Sequence, residues 1–213
     1  MSPTPNSSWL RLERLLASRI PNLLEDLARG AEEAELDALA EATGQELPAT
    51  FRDLYYGHNG QLGEATGLFF GLNFVSAQEA AAEWQRWTSL IDDDASLLTD
   101  IEVDAHPSGA VKAVYADPAW IPIASDGSGN HLAADFAPGP GGTPGQIISF
   151  GTDETTRNVF APSATAFLDW CADLIESGRA VVASAPHEPG GMVLQAGQAG
   201  HLLDALPGVL GGS

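Results

Sequence analysis

Basic residues and cysteine are both scarce in this chain of 213 residues. Nine Lys and Arg residues stand against 29 Asp and Glu residues, which gives a formal net charge of -20. A field of that sign repels nucleic acid and anionic membranes, so we expect neither as a partner. The single cysteine, Cys171, cannot form an intramolecular disulfide, and this favours a reducing compartment.

Long apolar runs are missing as well. No stretch approaches the roughly 18 uninterrupted apolar residues that a membrane helix requires. Residues 1–8 have neither the positive charge nor the apolar run of a secretory signal, so we expect a cytoplasmic protein. Hydrophobic residues make up 44% of the chain, close to the share in ordinary globular proteins, and this allows a sizeable core.

Helical patterns dominate the first half of the chain. Apolar residues recur at helical spacing from Trp9 until Pro21, and three further segments follow the same pattern. These segments begin at Asn22, Ala31 and Pro48. Residues 68–74 are aromatic and predict a short strand. Ser76 and Glu79 then match a capping box, which predicts the start of another helix.

Strand patterns dominate the second half. The predicted strands cover residues 111–115, 120–124, 131–136, 146–150 and 157–160. Residues 92–109 lack apolar periodicity and predict a surface loop. Residues 163–177 form the most regular amphipathic helix of the chain. The order predicts an α+β fold with N-terminal helices, a mainly antiparallel central sheet and a closing C-terminal amphipathic helix.

The same patterns divide the chain into four segments. They are a disordered arm (1–8), an N-terminal helical extension (9–30), an α+β domain (31–178) and a C-terminal extension rich in Gly, Ala and Pro (179–213). We expect the last segment to pack loosely and to contain at most one short helix, around residues 198–206.

Sequence motifs for catalysis are lacking. The Gly-rich stretches do not match a phosphate-binding loop, and no two of the five histidines have the i, i+3 or i, i+4 spacing of a helical metal site. We therefore predict no catalytic residues, no metal and no cofactor. One enzymatic alternative stays open, a metal-dependent hydrolase that uses Asp126, His131 and Asp135.

An acidic run without any Lys or Arg is the most unusual surface feature. Its six carboxylates belong to Asp92, Asp93, Asp94, Asp100, Glu102 and Asp104. A solvated loop explains such a run, and as a metal site it is too mobile and too uniform. Alternatively, the run faces a basic protein partner, where charge would raise the association rate and select the partner.

Several motifs in a fixed order resemble the SUKH superfamily across residues 31–178. The motifs are the helix pair at 41–60, the strand and the Ser-Ala-Gln-Glu helix start at 68–79, the run WIPIASDGSGN at 120–130, the strand that contains Asp135, the strand at 146–151 and the helix that Ser163 opens. The superfamily contains the yeast cell-wall assembly regulator and many bacterial immunity proteins.

The resemblance implies a single α+β domain without catalytic residues. Its framework positions, which should support the fold, are Trp120, Asp126, Gly127, Gly129 and Asp135. Our main hypothesis is an immunity protein whose acidic face neutralises a cognate bacterial toxin by occluding a basic toxin domain. The alternative is a regulatory scaffold or interaction protein resembling the yeast cell-wall assembly regulator.

Overall fold

The computed structural model describes residues 6–63, 65–93, 101–184, 192–197 and 201–205. The helices in these ranges are α1 (Ser7–Arg19), α2 (Pro21–Glu25), α3 (Glu33–Thr43), α4 (Ala49–Gly57), α5 (Ala77–Asp93), α6 (Ala164–Glu176) and a 3₁₀ helix (Leu203–Ala205). The strands are β1 (Asn73–Phe74), β2 (Asp104–His106), β3 (Trp120–Ser125), β4 (Asn130–Asp135), β5 (Gln146–Gly151), β6 (Thr156–Ala161), β7 (Ala180–Ser184) and β8 (Met192–Ala196). The α+β fold predicted from the sequence is confirmed.

Local signals in the sequence explain where several helices begin and end. At the start of α5, Ser76 Oγ accepts the Glu79 amide N–H at 3.2 Å, and the Glu79 carboxylate accepts the Ser76 amide N–H at 2.8 Å. This is the predicted capping box. Ser163 Oγ accepts the Ala166 amide N–H at 3.2 Å and caps α6. Gly44 ends α3 with a φ of 66°, in the left-handed region that favours glycine.

Six strands form the central sheet in the order β1-β3-β4-β5-β6-β2. The pairs β1–β3, β3–β4, β4–β5 and β5–β6 are antiparallel, whereas β2 pairs with β6 in parallel. Every residue of β4 and β5 is buried, which indicates that both faces of the sheet are covered.

Different parts of the chain cover the two faces of the sheet. On one face, Ile121, Leu132 and Ile147 belong to the main core together with apolar residues of α1, α3, α4 and α6. On the opposite face, Trp120, Ala133, Ile148 and Phe150 form a second cluster with Val111, and Trp87, Ala105, Val114 and Val159 pack against it. The strands thus send alternate side chains into two separate apolar layers.

The structure corrects three predictions for residues 68–115. Residues 111–115 are not a strand, and two of their backbone carbonyls, those of Val114 and Tyr115, accept hydrogen bonds from the Arg157 side chain. Residues 68–74 are mostly a tight turn, and only Asn73 and Phe74 pair with β3. The predicted loop at 92–109 contains β2, which the sequence could not reveal because its partner β6 is distant in the chain.

The segments 9–30 and 179–213 both contribute side chains to the main core. Trp9 of α1 is fully buried, and its indole Nε1–H donates to the Leu54 carbonyl at 2.8 Å. After residue 179 the chain forms the antiparallel hairpin β7–β8, whose Leu194 is buried in the same core. The sequence predicted at most one short helix there, because small residues mask the strand pattern. The four-segment division itself stays a prediction.

Candidate functional site

The acidic run lies where α5 ends and β2 begins. Asp92 and Asp93 are exposed at the end of α5, and Glu102 and Asp104 are exposed on the way into β2. None of these four carboxylates forms a salt bridge with another described residue. The two exposed pairs sit on different elements, since α5 contacts the sheet through β3 whereas β2 pairs with β6 at the sheet edge.

Two further members of the run, Asp94 and Asp100, lie outside the described residues. A binding role for the six carboxylates therefore stays a prediction. The outer face of α5 leads towards this acidic end. It lines an open depression of about 550 Å³, and Leu90, with 42% of its surface exposed, contributes an apolar wall.

The Asp126 carboxylate holds together the turn at 126–130, which contains three of the predicted framework positions. Its Oδ1 accepts the amide N–H groups of Ser128 at 2.7 Å and Asn130 at 3.1 Å, and its Oδ2 accepts the Ser128 hydroxyl at 2.7 Å. Gly127 and Gly129 supply the positive φ angles, 76° and 106°. Burial raises the pKa of Asp126, but these hydrogen bonds outweigh it and leave the pKa below its usual value. The carboxylate oxygens of Asp126 thus accept hydrogen bonds from within the loop, and these bonds stabilise the turn.

Asp135, another predicted framework residue, is fully buried. Its Oδ2 accepts a hydrogen bond from Gln146 Nε2 at 3.1 Å, and its Oδ1 accepts the Ala137 amide N–H at 3.1 Å. The Gln146 amide also donates to the Ala110 carbonyl at 2.9 Å, so the network joins β4, β5 and the segment over the second face. Burial raises the pKa of the Asp135 carboxyl.

His131 lies among aromatic rings on the second face of the sheet. Its ring stacks on Phe150 with centroids 5.2 Å apart and meets Trp87 edge-on at 5.9 Å. Burial lowers the pKa of the imidazole to about 4, against the attraction of Asp126. The ring therefore stays neutral near pH 7 and acts as an aromatic core residue.

Arg157 is a fully buried cation that the sequence did not single out. It donates to the carbonyls of Val114 at 3.2 Å and Tyr115 at 2.7 Å, and also to that of Glu154. Its guanidinium lies 5.8 Å from the Trp120 ring centroid, within cation–π range. Burial lowers its pKa to about 10. The sequence placed this arginine within the predicted strand at 157–160, and that position gave no sign of burial.

The hydrolase alternative relied on Asp126, His131 and Asp135. The structure engages each of them separately, in a turn, an aromatic cluster and an amide network. Among the described residues, no three His, Cys, Asp or Glu side chains are arranged to hold a metal ion. Cys171 of α6 is buried in the main core, and burial raises the pKa of its thiol.

Comparison with known proteins identifies the family. The sequence profile of the SMI1/KNR4 family (SUKH-1) matches residues 30–170, which is well over half of the chain. The chain belongs to the SMI1/KNR4 family. This confirms the resemblance to the SUKH superfamily that the ordered motifs predicted.

Three similar proteins with curated names are regulators from fungi. The chain is 35% identical over 192 residues to the cell wall biosynthesis/cell cycle regulator smi1 of Schizosaccharomyces pombe, covering 85% of this chain and 38% of the relative. It is 32% identical over 205 residues to the glucan synthesis regulatory protein of Neurospora crassa, covering 81% and 38%. The cell wall assembly regulator SMI1 of Saccharomyces cerevisiae is 26% identical over 204 residues, covering 81% and 40%.

The alignments with these three relatives cover more of the chain than the family profile does. Because they cover 81–85% of this chain, they extend beyond residues 31–178. The chain spans about two fifths of the length of these relatives.

In the part of the chain that the structure describes, no helix is both long and apolar enough to cross a membrane.

Proposed function

We propose that this chain is a non-catalytic regulatory domain that acts by binding protein partners. The observation that carries the proposal is its similarity to relatives named as regulators of the cell wall and of glucan synthesis. Wall or envelope assembly is accordingly the process in which we expect it to act. Because the chain covers about two fifths of those relatives, the proposal concerns the region that they share.

The state of the polar side chains supports the non-catalytic part of the proposal. A general acid or base needs a pKa near the working pH and access to a substrate. His131 is buried with a pKa of about 4, and the carboxylates of Asp126 and Asp135 already accept internal hydrogen bonds. These groups are committed to holding the fold.

The charged surface supports binding as the mode of action. A formal net charge of -20 speeds association with basic proteins and disfavours acidic ones. Asp92 and Asp93 extend that charge next to the apolar Leu90. A cytoplasmic location belongs to the same proposal, and the lone, buried Cys171 supports it.

The immunity hypothesis has less support than the regulatory one. Three of the similar proteins are named as regulators of the cell wall or of glucan synthesis, and these names match the alternative that the superfamily resemblance implied. Occlusion of a basic toxin domain rests on the superfamily resemblance and on the net charge alone.

Deletion of the gene in the organism that encodes it tests the regulatory proposal. We expect the deletion to change sensitivity to a compound that perturbs the wall, and the intact gene to restore it. Crosslinking in cells followed by mass spectrometry should recover protein partners involved in wall assembly. Death of the deletion strain that is rescued by removing an adjacent toxin gene would overturn the proposal in favour of immunity.

Charge variants test whether the acidic end of α5 takes part. We expect the double variant Asp92→Asn and Asp93→Asn to weaken partner capture at low salt. Glu41→Gln with Glu46→Gln is the matched control, because it removes two exposed carboxylates elsewhere. If both double variants capture the partner equally well, the acidic end of α5 does not take part in binding.

A further inference from the structure

Leu62 is the most exposed large hydrophobic residue in the described part of the chain. Its exposed fraction is 67%, whereas Leu10, Leu90, Val181 and Met192 have exposed fractions of 37–42%. A single exposed leucine is ordinary on a protein surface and needs no explanation by itself. The loop that carries Leu62 and the cavity beside it make this leucine different.

The backbone around Leu62 is fixed by hydrogen bonds. The Leu62 amide N–H donates to the Asp26 carbonyl at 2.8 Å, and the Gln61 amide N–H donates to the Phe74 carbonyl at 2.9 Å. The side chain of Gln61 accepts the amide N–H groups of Leu68 at 2.8 Å and Phe74 at 2.9 Å. Leu62 is thus presented on a preorganised backbone, which lowers the entropy lost when a partner binds.

A cavity of about 240 Å³ adjoins Leu62. The described residues that line it are Asn22, Glu25, Asp26, Leu62 and Ala65. Small-molecule pockets usually hold roughly 300–1,000 Å³. This cavity is smaller, so it suits a single side chain of a protein partner better than a cofactor.

The charge around the cavity selects the kind of partner. Glu25 is exposed at the rim and forms no salt bridge with another described residue. No Lys or Arg is among the described residues that line the cavity, and the whole chain carries a formal charge of -20. A basic segment complements this rim, whereas an acidic segment is repelled.

We propose that Leu62 and the adjoining cavity form a docking surface for a basic segment of a protein partner. One aliphatic side chain of the segment enters the cavity and contacts Leu62, and a neighbouring Lys or Arg pairs with Glu25. The inference rests on the proposed function, since it names a surface through which such a regulator would bind.

Titration with synthetic peptides, followed by NMR of the amide groups, tests the docking surface on the full chain. The probe is a short peptide of alternating Arg and Leu residues. One matched peptide replaces Leu by Ser and another replaces Arg by Glu. We expect the Arg/Leu probe to shift the amide signals of Glu25, Leu62 and Ala65, and both matched peptides to bind at least about tenfold more weakly.

Variants of the chain sharpen this test. Leu62→Ser should weaken binding of the Arg/Leu peptide about tenfold, and Glu25→Gln should weaken it at low salt. Leu10→Ser and Glu41→Gln are the matched controls and should bind as the unmodified chain does. Because Leu62 and Glu25 are exposed, the variants should keep the dispersed amide spectrum of a folded protein.

Three outcomes in vitro would overturn the inference. The shifted signals could centre on the end of α5, or binding could be unchanged in Leu62→Ser. Sedimentation could reveal a dimer of the unmodified chain that Leu62→Ser dissociates, in which case a second copy occupies the surface.

If crosslinked partners in cells persist with Leu62→Ser and Glu25→Gln combined, the docking surface is wrong while the proposed function stands. If peptide binding matches expectation but no partner is found in cells, the proposed function fails instead.

Discussion

Arg157 shows how one side chain can hold a segment that has no regular secondary structure. Its hydrogen bonds to Val114 and Tyr115 keep residues 111–115 over the second face of the sheet. Arg157→Ala would leave these partly buried carbonyls without donors and open a cavity where the buried guanidinium lies. We expect the free energy of unfolding to fall by about 3 kcal/mol in urea denaturation. The exposed Arg14→Ala is the control and should change it by less than about 0.5 kcal/mol.

His131 makes stability depend on pH. Its pKa is about 4 in the folded state and about 6.5 when unfolded, so folding favours the neutral ring. The stabilisation is complete above pH 6.5 and is lost as the pH falls from 6.5 towards 4. Linkage converts the difference to about 3 kcal/mol over that window.

The variant His131→Phe isolates this effect. Phenylalanine keeps the contacts with Trp87 and Phe150, and it removes the buried Nδ1, which has no hydrogen-bond partner. Urea denaturation between pH 7.5 and pH 4 should show a smaller loss of stability in the variant than in the unmodified chain. Parallel pH profiles for the two proteins would show that His131 does not titrate in this window.

At the scale of elements, the N-terminus of α5 offers a direct test of a signal read from the sequence. Ser76→Ala removes the hydroxyl oxygen that accepts the Glu79 amide N–H, and we expect a loss of about 1 kcal/mol in thermal or urea unfolding. Ser89→Ala, on the exposed face of the same helix, is the control and should gain about 0.5 kcal/mol or less. Equal effects of the two changes would mean that the cap contributes nothing.

Elements with local signals were predictable, and those that depend on distant partners were not. Ser76, Ser163 and Gly44 mark helix ends within a few residues, so the helices followed from the sequence. The three residues of β2 form a strand only because β6 lies beside them, about fifty positions further along the chain. The hairpin β7–β8 was not predicted, because its small residues obscure the strand pattern.

The candidate site likewise contains some features that were predictable from the sequence and others that were not. The exposure of Asp92 and Asp93 followed from the lack of apolar periodicity after residue 91, and the structure agrees. The exposure of Leu62 was not predictable, because a leucine between Gln61 and Gly63 has no local signal that distinguishes surface from core. The burial of Arg157 likewise depends on segments about forty residues away.

At the scale of the whole molecule, α1 is the element whose place in the folding unit can be measured. Trp9 is fully buried, and a side chain added to Gly57 would lie 2.2 Å from its ring, so α1 and α4 are in close contact. Trp9→Ala should lower the free energy of unfolding by about 3–5 kcal/mol in urea denaturation. The neighbouring Leu10→Ala, which is partly exposed, is the control and should cost much less.

Removal of residues 1–30 extends the same test to the predicted domain boundary. The deleted part includes the buried apolar side chains of Trp9, Leu12, Leu16, Ile20 and Leu23. Each buried side chain of this size is worth about 1.5–3 kcal/mol, so their sum rivals the whole stability of a typical domain. We expect the truncated chain to lose its cooperative unfolding transition. A cooperative transition in residues 31–213 would instead support a boundary near residue 31.

The open side of β2 has a consequence for how copies of this protein behave when they are crowded together. Exposed sheet edges invite the strands of other molecules, and this is a common route to aggregation. Among the described strands, β2 ends the sheet; it is three residues long, begins at the exposed Asp104, and is followed by Pro107, which has no amide N–H to donate. An edge strand that is short, charged and followed by proline offers a neighbouring chain few backbone groups for hydrogen bonding. In concentrated solutions of the folded protein, fibrils should therefore not form through this edge.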